Sequence, residues 1–90
     1  MDDIKNTHQE IQDYVLAVCG PLCEYPEQLN ISTTNDERGV LIKLFAHQTD
    51  IGRLIGKKGD TVNSIRLLLR AIGTKNDARY SLKVDSLEKM

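Results

Sequence analysis

The chain has 90 residues, of which 40% are hydrophobic and 28% are charged, and its net charge is −1. This length suits a single domain over residues 1–90, with a core over about 8–85 and a frayed tail over 86–90. No apolar run reaches the roughly 18 residues of a membrane span, and the acidic start Met1-Asp2-Asp3 is unlike a secretory signal. We therefore expect a cytoplasmic protein that does not associate with membranes.

Charge is divided unevenly along the chain. Residues 1–50 contain nine acidic and three basic side chains, whereas residues 51–90 contain four acidic and nine basic ones. A surface that binds a polyanion would produce this division, and so would two oppositely charged parts of one fold that neutralise each other. Composition leaves both interpretations open. With no Trp, one Phe and three Tyr, the chain lacks the aromatic residues of a base-stacking sheet.

The first predicted element is an amphipathic helix over residues 8–24. Its apolar residues recur at spacings of three and four: Ile11, Val15, Val18, Cys19 and Leu22. Thr7 and Glu10 form a capping box at its start. Gly20-Pro21 weakens its last turn, because proline has no N–H to donate.

Two strands joined by a turn follow the helix. Residues 29–34 alternate between apolar and polar side chains, residues 35–39 have the composition of a turn, and residues 40–46 form a nearly continuous apolar run. We predict an antiparallel hairpin. In its second strand one face carries Val40, Ile42 and Leu44, and the other carries Leu41, Lys43 and Phe45.

Two helices and a strand complete the prediction. Thr49-Asp50 cap a short helix over residues 51–55, and a longer helix follows Gly59 and stops at Gly73. The longer helix directs five apolar residues inward: Val62, Ile65, Leu68, Leu69 and Ile72. Tyr80, Leu82 and Val84 alternate as a third strand. The order α-β-β-α-α-β predicts an α+β domain of two layers, with three helices on one face of a three-stranded mixed sheet.

The segment Gly56-Lys57-Lys58-Gly59 lies between the two predicted helices. A tight connection needs unusual backbone angles, so a structural turn explains the glycines but not the lysines. A docked phosphodiester backbone explains both. The missing Cβ atoms permit close approach, the first N–H groups of the next helix point at a phosphate, and Lys57 and Lys58 neutralise its charge.

This segment resembles the GXXG loop of KH domains, which clamps about four nucleotides of a single strand. The resemblance extends to Gly52-Arg53-Leu54-Ile55 before the loop and to Val62, Ile65 and Arg66 after it. The order of elements resembles the type II KH arrangement. The stretch Pro21-Leu22-Cys23-Glu24-Tyr25-Pro26-Glu27 is similar to the front end of small bacterial single-KH proteins, the KhpA family. The resemblance covers nearly the whole chain.

The resemblance implies a non-catalytic protein that binds single-stranded RNA, or single-stranded DNA, with low sequence specificity. It implies a role as an RNA chaperone or post-transcriptional regulator, no cofactor, and a homodimer or a heterodimer with another KH-containing protein. The nucleic-acid contacts would fall on Gly56, Lys57, Lys58 and Gly59, with Arg53 and Ile55 beside them. On the next helix, the spacing places Asn63, Arg66 and Arg70 on one face, where they either extend this path or form an ordinary solvated face.

Asp60 and a pI near 6.1 depart from the expected pattern of a basic nucleic-acid binder. A carboxylate beside the loop repels phosphate, but at a helix N-terminus it also interacts favourably with the helix dipole. We assign Asp60 to this second role.

Other kinds of site fit the sequence less well. A P-loop needs one more residue between Gly52 and Gly56, and a Ser or Thr at Lys58. The spacing of Cys19, Cys23 and the two histidines matches no zinc motif, so we expect no metal site, with Cys19 in the core and Cys23 partly buried as reduced thiols. No nucleophile and base converge, so we expect no enzyme. The alternative function is a protein-interaction scaffold that acts through Leu41 and Phe45.

Overall fold

The helices and strands follow the predicted order in a computed structural model that describes residues 2–90, and their side-chain surroundings from residue 9 onward. The elements are α1 (Asp2–Cys19), β1 (Asn30–Asp36), β2 (Gly39–Ala46), α2 (Gln48–Ile55), α3 (Asp60–Asn76) and β3 (Tyr80–Ser86). Short 3-10 turns lie at Gly20–Leu22, Pro26–Gln28, Lys57–Gly59 and Leu87–Lys89.

The three strands form one mixed sheet in the order β1-β2-β3. Strand β1 runs antiparallel to β2, as the predicted hairpin requires, and β3 runs parallel to β2. The central strand alternates between two environments. Its fully buried residues are Ile42, Leu44 and Ala46, and its half-buried ones are Leu41, Lys43 and Phe45. The helices cover the buried face, which confirms the α+β architecture predicted from the sequence.

Helix α1 differs from the prediction at both ends. It begins at Asp2, so the backbone is already helical at Thr7 and the predicted start at His8 is wrong. The side chain of Thr7, to which the predicted capping box assigns a role, lies outside the described side chains. The helix ends at Cys19 because Pro21 cannot donate a backbone hydrogen bond, and Gly20–Leu22 forms a separate 3-10 turn. The predicted apolar stripe is confirmed by the burial of Ile11, Val15 and Cys19. Val18 is half-buried, and the predicted inward position of Leu22 is wrong, because Leu22 lies in the 3-10 turn and is 37% exposed.

Helix α2 begins three residues earlier than predicted. Its N-cap is His47, whose Nδ1 accepts a hydrogen bond from the backbone N–H of Thr49 at 3.1 Å. The side chain of Asp50 is fully buried. Its carboxylate accepts hydrogen bonds from the N–H groups of Glu24 at 2.8 Å and Tyr25 at 3.0 Å. The predicted Thr49-Asp50 cap is therefore wrong, because the partners of Asp50 are distant in sequence.

Helix α3 continues past its predicted stop at Gly73. This glycine is buried inside the helix, where a Cβ atom would overlap the carbonyl oxygen of Ala78 and lie 3.3 Å from the ring of Tyr80. The helix ends at Asn76, and Asp77 adopts a left-handed conformation as its C-cap. Leu68 is 49% exposed, so its predicted inward position is wrong. The rotation of about 100° per residue that turns Leu69 into the core turns Leu68 away from it.

The two ends of the sheet hold short turns. The β1–β2 turn is tighter than predicted, because β1 continues to Asp36 and β2 starts at Gly39; the carboxylate of Asp36 accepts from the N–H groups of Arg38 and Gly39. Where the sequence predicts a frayed tail, the hydroxyl of Ser86 accepts from the N–H of Glu88 and caps the turn Leu87–Lys89.

Within residues 2–90, no helix combines the length and apolar character needed to cross a membrane.

Candidate nucleic-acid interface

The segment Gly56-Lys57-Lys58-Gly59, called here the glycine-lysine loop, turns the chain from α2 into α3. The N–H of Gly56 donates to the carbonyl oxygen of Gly52 at 2.8 Å, and the N–H of Gly59 donates to that of Gly56 at 3.2 Å. Both loop glycines have φ near 78°, which residues with a Cβ rarely adopt. A Cβ on Gly56 would lie 2.9 Å from the backbone nitrogen of Thr61. The close approach of the loop to α3 therefore requires glycine.

The two lysines of the loop are exposed. Lys58 has φ 54° and ψ 25°, a left-handed conformation that costs a non-glycine residue roughly 1–2 kcal/mol. Among the described side chains, neither Lys57 nor Lys58 takes part in an ion pair. Both ammonium groups are therefore available to a bound anion.

The first turn of α3 lies directly beside these lysines. Its N-cap is Gly59, and no side chain caps it. The first N–H groups of an α-helix have no partner within the helix, and the helix dipole favours negative charge at this end. Asp60 lies in the same turn and is exposed, but its side chain makes no capping hydrogen bond. It can interact with the helix dipole, as the sequence predicts, and it places one negative charge beside the loop.

Asn63, Arg66 and Arg70 lie on one exposed face of α3, as their spacing predicts. The guanidinium of Arg66 is held in place: its Nε and Nη2 donate to the carbonyl oxygen of Leu82 at 3.2 and 3.1 Å, and its Nη1 donates to Oδ1 of Asn63 at 3.1 Å. These bonds fix a positive charge at the boundary between α3 and β3. We call these three residues the arginine face.

An open cavity of about 420 Å³ lies at the far end of the arginine face. Its lining includes Arg70, Arg79 and Tyr80, of which only Arg70 is a predicted site residue. Strand β3 runs parallel to β2 and begins beside the last turns of α3, which brings the exposed Arg79 close to Arg70. The sequence points to Arg79 only through the basic character of residues 51–90, and this character does not distinguish Arg79 from the other basic residues there.

Arg53 and Ile55 lie exposed on α2, close to the glycine-lysine loop. The Nε atom of Arg53 lies 3.9 Å from Oδ1 of the buried Asp50. Burial alone would raise the pKa of Asp50, but the two backbone hydrogen bonds from Glu24 and Tyr25, with Arg53 and His47, hold that pKa below its ordinary value. Asp50 therefore stays ionised at neutral pH and holds the segment between α1 and β1 against α2.

The two cysteines occupy the predicted environments. Cys19 is buried and Cys23 is half-buried, and both are free thiols. Burial, with a smaller effect of Cys23, raises the pKa of Cys19 to about 11. Within the described part of the chain, no three His, Cys, Asp or Glu side chains are grouped to hold a metal ion.

Similarity to known proteins covers the whole of this interface. A family model described as the KhpA/KhpB KH domain matches residues 12–84. The RNA-binding protein KhpA of Listeria monocytogenes is 32% identical over 74 residues, which cover 82% of this chain and 97% of the relative. The RNA-binding protein KhpA of Bacillus subtilis is 24% identical over 78 residues, which cover 87% of this chain and 96% of the relative.

No solved structure matches the chain significantly. The family match includes both the glycine-lysine loop and the arginine face, and it spans most of the chain. The chain therefore belongs to the KhpA/KhpB family of KH domains.

Proposed function

We propose that this chain binds single-stranded RNA without catalysis, and that the glycine-lysine loop grips the sugar-phosphate backbone. The observation that carries the proposal is the position of Lys57 and Lys58, exposed beside the uncapped first turn of α3. Relatives from Listeria monocytogenes and Bacillus subtilis are named RNA-binding proteins, which supports RNA as the ligand. The KhpA/KhpB family is not enzymatic, which agrees with a binding role.

The arginine face extends this proposed path beyond the loop. Arg66 supplies a positive charge whose position is set by Leu82 and Asn63. Arg70 lies one turn further along α3, at the edge of the open cavity. On the other side of the loop, Ile55 is 37% exposed and offers an apolar contact to a base, while Arg53 supplies a further cation.

Binding by one such domain is expected to be weak and tolerant of sequence. A KH loop contacts about four nucleotides, and a net charge of −1 gives no long-range attraction to a polyanion. We infer a role as an RNA chaperone or post-transcriptional regulator. Affinity would increase when a second copy, or another KH-containing protein, supplies a second binding site. Single-stranded DNA offers the same phosphates and is expected to compete for the loop.

The alternative, a scaffold that acts through the face of the sheet without helices, has less support. Leu41 and Phe45 are both half-buried on that face, and Lys43 lies between them. Lys83 is the neighbour of Lys43 on β3. A face that carries two adjacent lysines is poorly suited to docking an apolar surface, since both charges would lose their hydration.

The test is a fluorescence-anisotropy titration of a mixed-sequence single-stranded RNA. It compares the wild type with Lys57→Asp/Lys58→Asp, and with Lys83→Glu/Lys89→Glu as a control that makes the same change in charge on exposed residues away from the loop. Circular dichroism verifies that all three proteins are folded. The proposal predicts that the loop variant loses at least about tenfold in affinity and that the control keeps most of it.

Salt dependence provides the second part of this test. If the chain neutralises two to three phosphates, the logarithm of the affinity falls against the logarithm of the salt concentration with a slope of about −1.4 to −2.1. Binding that is independent of salt would contradict the proposed grip on phosphates. An equal loss of affinity in the loop and control variants would contradict the assignment to the loop.

A further inference from the structure

The side-chain amide of Asn63 is held in one orientation beside the glycine-lysine loop. Its Oδ1 accepts a hydrogen bond from Nη1 of Arg66 at 3.1 Å. A guanidinium has N–H donors and no acceptor, so only the oxygen end of the amide can face Arg66. The nitrogen end must then face the opposite way. Arg66 therefore determines which end of the Asn63 amide is turned toward a ligand on the loop.

The nitrogen end of this amide lies over Gly59. A Cβ atom added to Gly59 would lie 3.4 Å from Nδ2 of Asn63, whereas Oδ1 lies more than 4 Å from that position. Asn63 thus presents its two N–H donors above the second glycine of the loop, where the chain has no side chain of its own. Since Asn63 is exposed, a ligand that docks on Gly59 can reach these donors.

Arg66 is itself anchored, which makes the orientation of Asn63 rigid. Its Nε and Nη2 both donate to the carbonyl oxygen of Leu82, at 3.2 and 3.1 Å. Leu82 is buried on β3, so the anchor is part of the folded sheet. The N–H groups of Arg66 that these bonds leave free are further donors. We call Asn63 and Arg66 the donor pair, because toward the loop they offer fixed hydrogen-bond donors.

The position of the donor pair suits a base better than a phosphate. Lys57, Lys58 and the first turn of α3 already offer positive charge to the sugar-phosphate backbone. Asn63 is neutral, and it lies one helical turn beyond Gly59 on the side of α3 that faces β3. Contacts to phosphates position a nucleic acid, whereas contacts to base edges determine which sequence is bound. A neutral donor in a fixed direction can discriminate between bases.

The four bases differ in the group that they present to such a donor. Uracil and guanine carry a carbonyl oxygen, which accepts, where cytosine and adenine carry an amino group, which donates. An amino group opposite Nδ2 of Asn63 would leave two donors facing each other without an acceptor. A free amide could turn over and accept from the amino group, but the bond to Arg66 opposes this rotation.

We propose that the donor pair gives this chain a preference for keto bases, uracil and guanine, in the nucleotide that lies over Gly59. In this role Asn63 contacts the base and Arg66 is a positioning residue. The inference rests on the proposed function, because it takes the RNA backbone to lie on the glycine-lysine loop. The preference is modest, because both side chains are exposed and only one of about four bound nucleotides is read.

Anisotropy titrations with two labelled probes, oligouridylate and oligocytidylate of about eight nucleotides, test this preference. The probes have the same sugars and phosphates, and one carries the carbonyl oxygen where the other carries the amino group. The wild type should bind oligouridylate at least about threefold more tightly. Equal affinities, or tighter binding of oligocytidylate, would overturn the proposal.

Asn63→Asp exchanges the donors over Gly59 for an acceptor. One carboxylate oxygen keeps the bond to Arg66 and the other faces Gly59, so the preference should invert in favour of oligocytidylate. The added negative charge weakens the binding of both probes, and the ratio of the two affinities removes this effect. Ser64→Asp is the matched control, since it places the same charge on the next exposed residue and should keep the wild-type ratio. A wild-type ratio in Asn63→Asp would overturn the assignment to Asn63.

Arg66→Lys tests the positioning role. Lysine keeps the charge but lacks the planar fork that bonds Leu82 and Asn63 together, so the Asn63 amide can turn over and the ratio of affinities should fall toward one. Arg70→Lys makes the same change one turn further along α3 and should keep the wild-type ratio. If Arg66 supplied charge alone, Arg66→Lys would also keep that ratio, and the positioning role would be refuted. Circular dichroism verifies that every variant is folded.

The orientation of the Asn63 amide can be measured without RNA. Relaxation of its side-chain ¹⁵N nucleus should show restricted motion in the wild type and greater motion in Arg66→Lys. Asn35, an exposed asparagine in β1, provides the reference for an amide at the surface. Equal mobility of the Asn63 amide in the two proteins would refute the restraint by Arg66.

The loop variant separates this inference from the proposed function. A wild type that prefers oligouridylate, with Lys57→Asp/Lys58→Asp losing affinity for both probes, supports both proposals. If the loop variant loses both probes but the wild type binds them equally, the proposed function stands and the base preference is overturned. A loop variant that keeps full affinity for both probes contradicts the proposed function, and with it the placement of a base over Gly59.

Discussion

The guanidinium of Arg66 on α3 donates two hydrogen bonds to the carbonyl oxygen of Leu82 on β3, at 3.2 and 3.1 Å. Arg70 lies on the same face of the helix but makes no such bond to β3 among the described side chains. Two arginines with the same predicted role therefore have different structural roles. Arg66 is bonded to β3 and is proposed also to present charge to RNA, whereas Arg70 is proposed only to present charge.

Alanine substitutions should separate the two roles. Arg66→Ala is expected to lower the free energy of unfolding by about 1–2 kcal/mol and to weaken RNA binding. The loss of stability is smaller than for a buried charged hydrogen bond, because Arg66 is exposed. Arg70→Ala should weaken RNA binding while changing stability by less than about 0.5 kcal/mol. Urea unfolding and RNA titration measure both quantities. Equal stability losses in the two variants would contradict this distinction.

The three glycines around the loop should respond differently to alanine. Gly56 has φ 78° and ψ 177°, a backbone conformation that is essentially restricted to glycine, and an added Cβ would overlap Thr61. Gly56→Ala should therefore lower the free energy of unfolding by about 2–4 kcal/mol. Gly59 is left-handed but has more space, so Gly59→Ala should destabilise by about 1–2 kcal/mol. Gly52 lies inside α2 in open space, so Gly52→Ala should stabilise by about 0.5–1 kcal/mol.

Urea unfolding curves of the three glycine variants give this ranking directly. Gly52→Ala serves as the control, since it makes the same chemical change inside α2, four residues before Gly56. A Gly56→Ala protein as stable as the wild type would show that the loop does not need the conformation described.

Asp50 should make stability depend on pH in the acid range. Its pKa in the folded protein lies below the ordinary value of 3.8, so the ionised carboxylate stabilises the fold fully above that value. This contribution is lost as the pH falls through the lower pKa of the folded state. Asp50→Asn should therefore melt several degrees below the wild type at pH 7, and the difference should shrink below about pH 4. A difference in melting temperature that stays constant down to pH 2 would contradict this role.

The two cysteines should react at different rates with a thiol reagent. Cys19 is 1% exposed and its pKa is raised to about 11, whereas Cys23 is half-buried. The thiolate is the reactive form, so iodoacetamide at pH 8 should label Cys23 first and Cys19 only when the protein unfolds. Mass spectrometry of the labelled peptides measures both rates, and urea provides the control in which the rates converge. Faster labelling of Cys19 under native conditions would contradict the described packing.

Local patterns in the sequence predict the elements and their order well. The alternation of apolar and polar residues in the strands, and the spacing of Ile11, Val15 and Cys19 in α1, each reflect a side chain that packs on one face. Parallel pairing of β2 and β3 is consistent with the two intervening helices. The sequence also predicts the glycine-lysine loop, because its two glycines and two lysines occupy four adjacent positions.

Features that depend on distant contacts could not be predicted in the same way. Asp50 has the composition of a helix cap, but its carboxylate binds N–H groups 25 and 26 residues earlier in the chain. Leu68 has the apolar character of a core residue, but the orientation of α3 turns it outward. Arg79 lies near Arg70 only because β3 returns beside α3. In each case, tertiary packing determines the environment of the residue, and the neighbouring sequence does not predict that environment.

The most direct test of the central claim is to map the RNA contacts on the protein by NMR. A titration of short single-stranded RNA into the ¹⁵N-labelled chain should shift the amide signals of Gly56, Lys57, Lys58, Gly59 and the arginine face. Signals of Ser32, Lys43 and Lys83 on the opposite face of the sheet should not move. Shifts confined to that opposite face, around Leu41 and Phe45, would contradict the proposed role of the glycine-lysine loop.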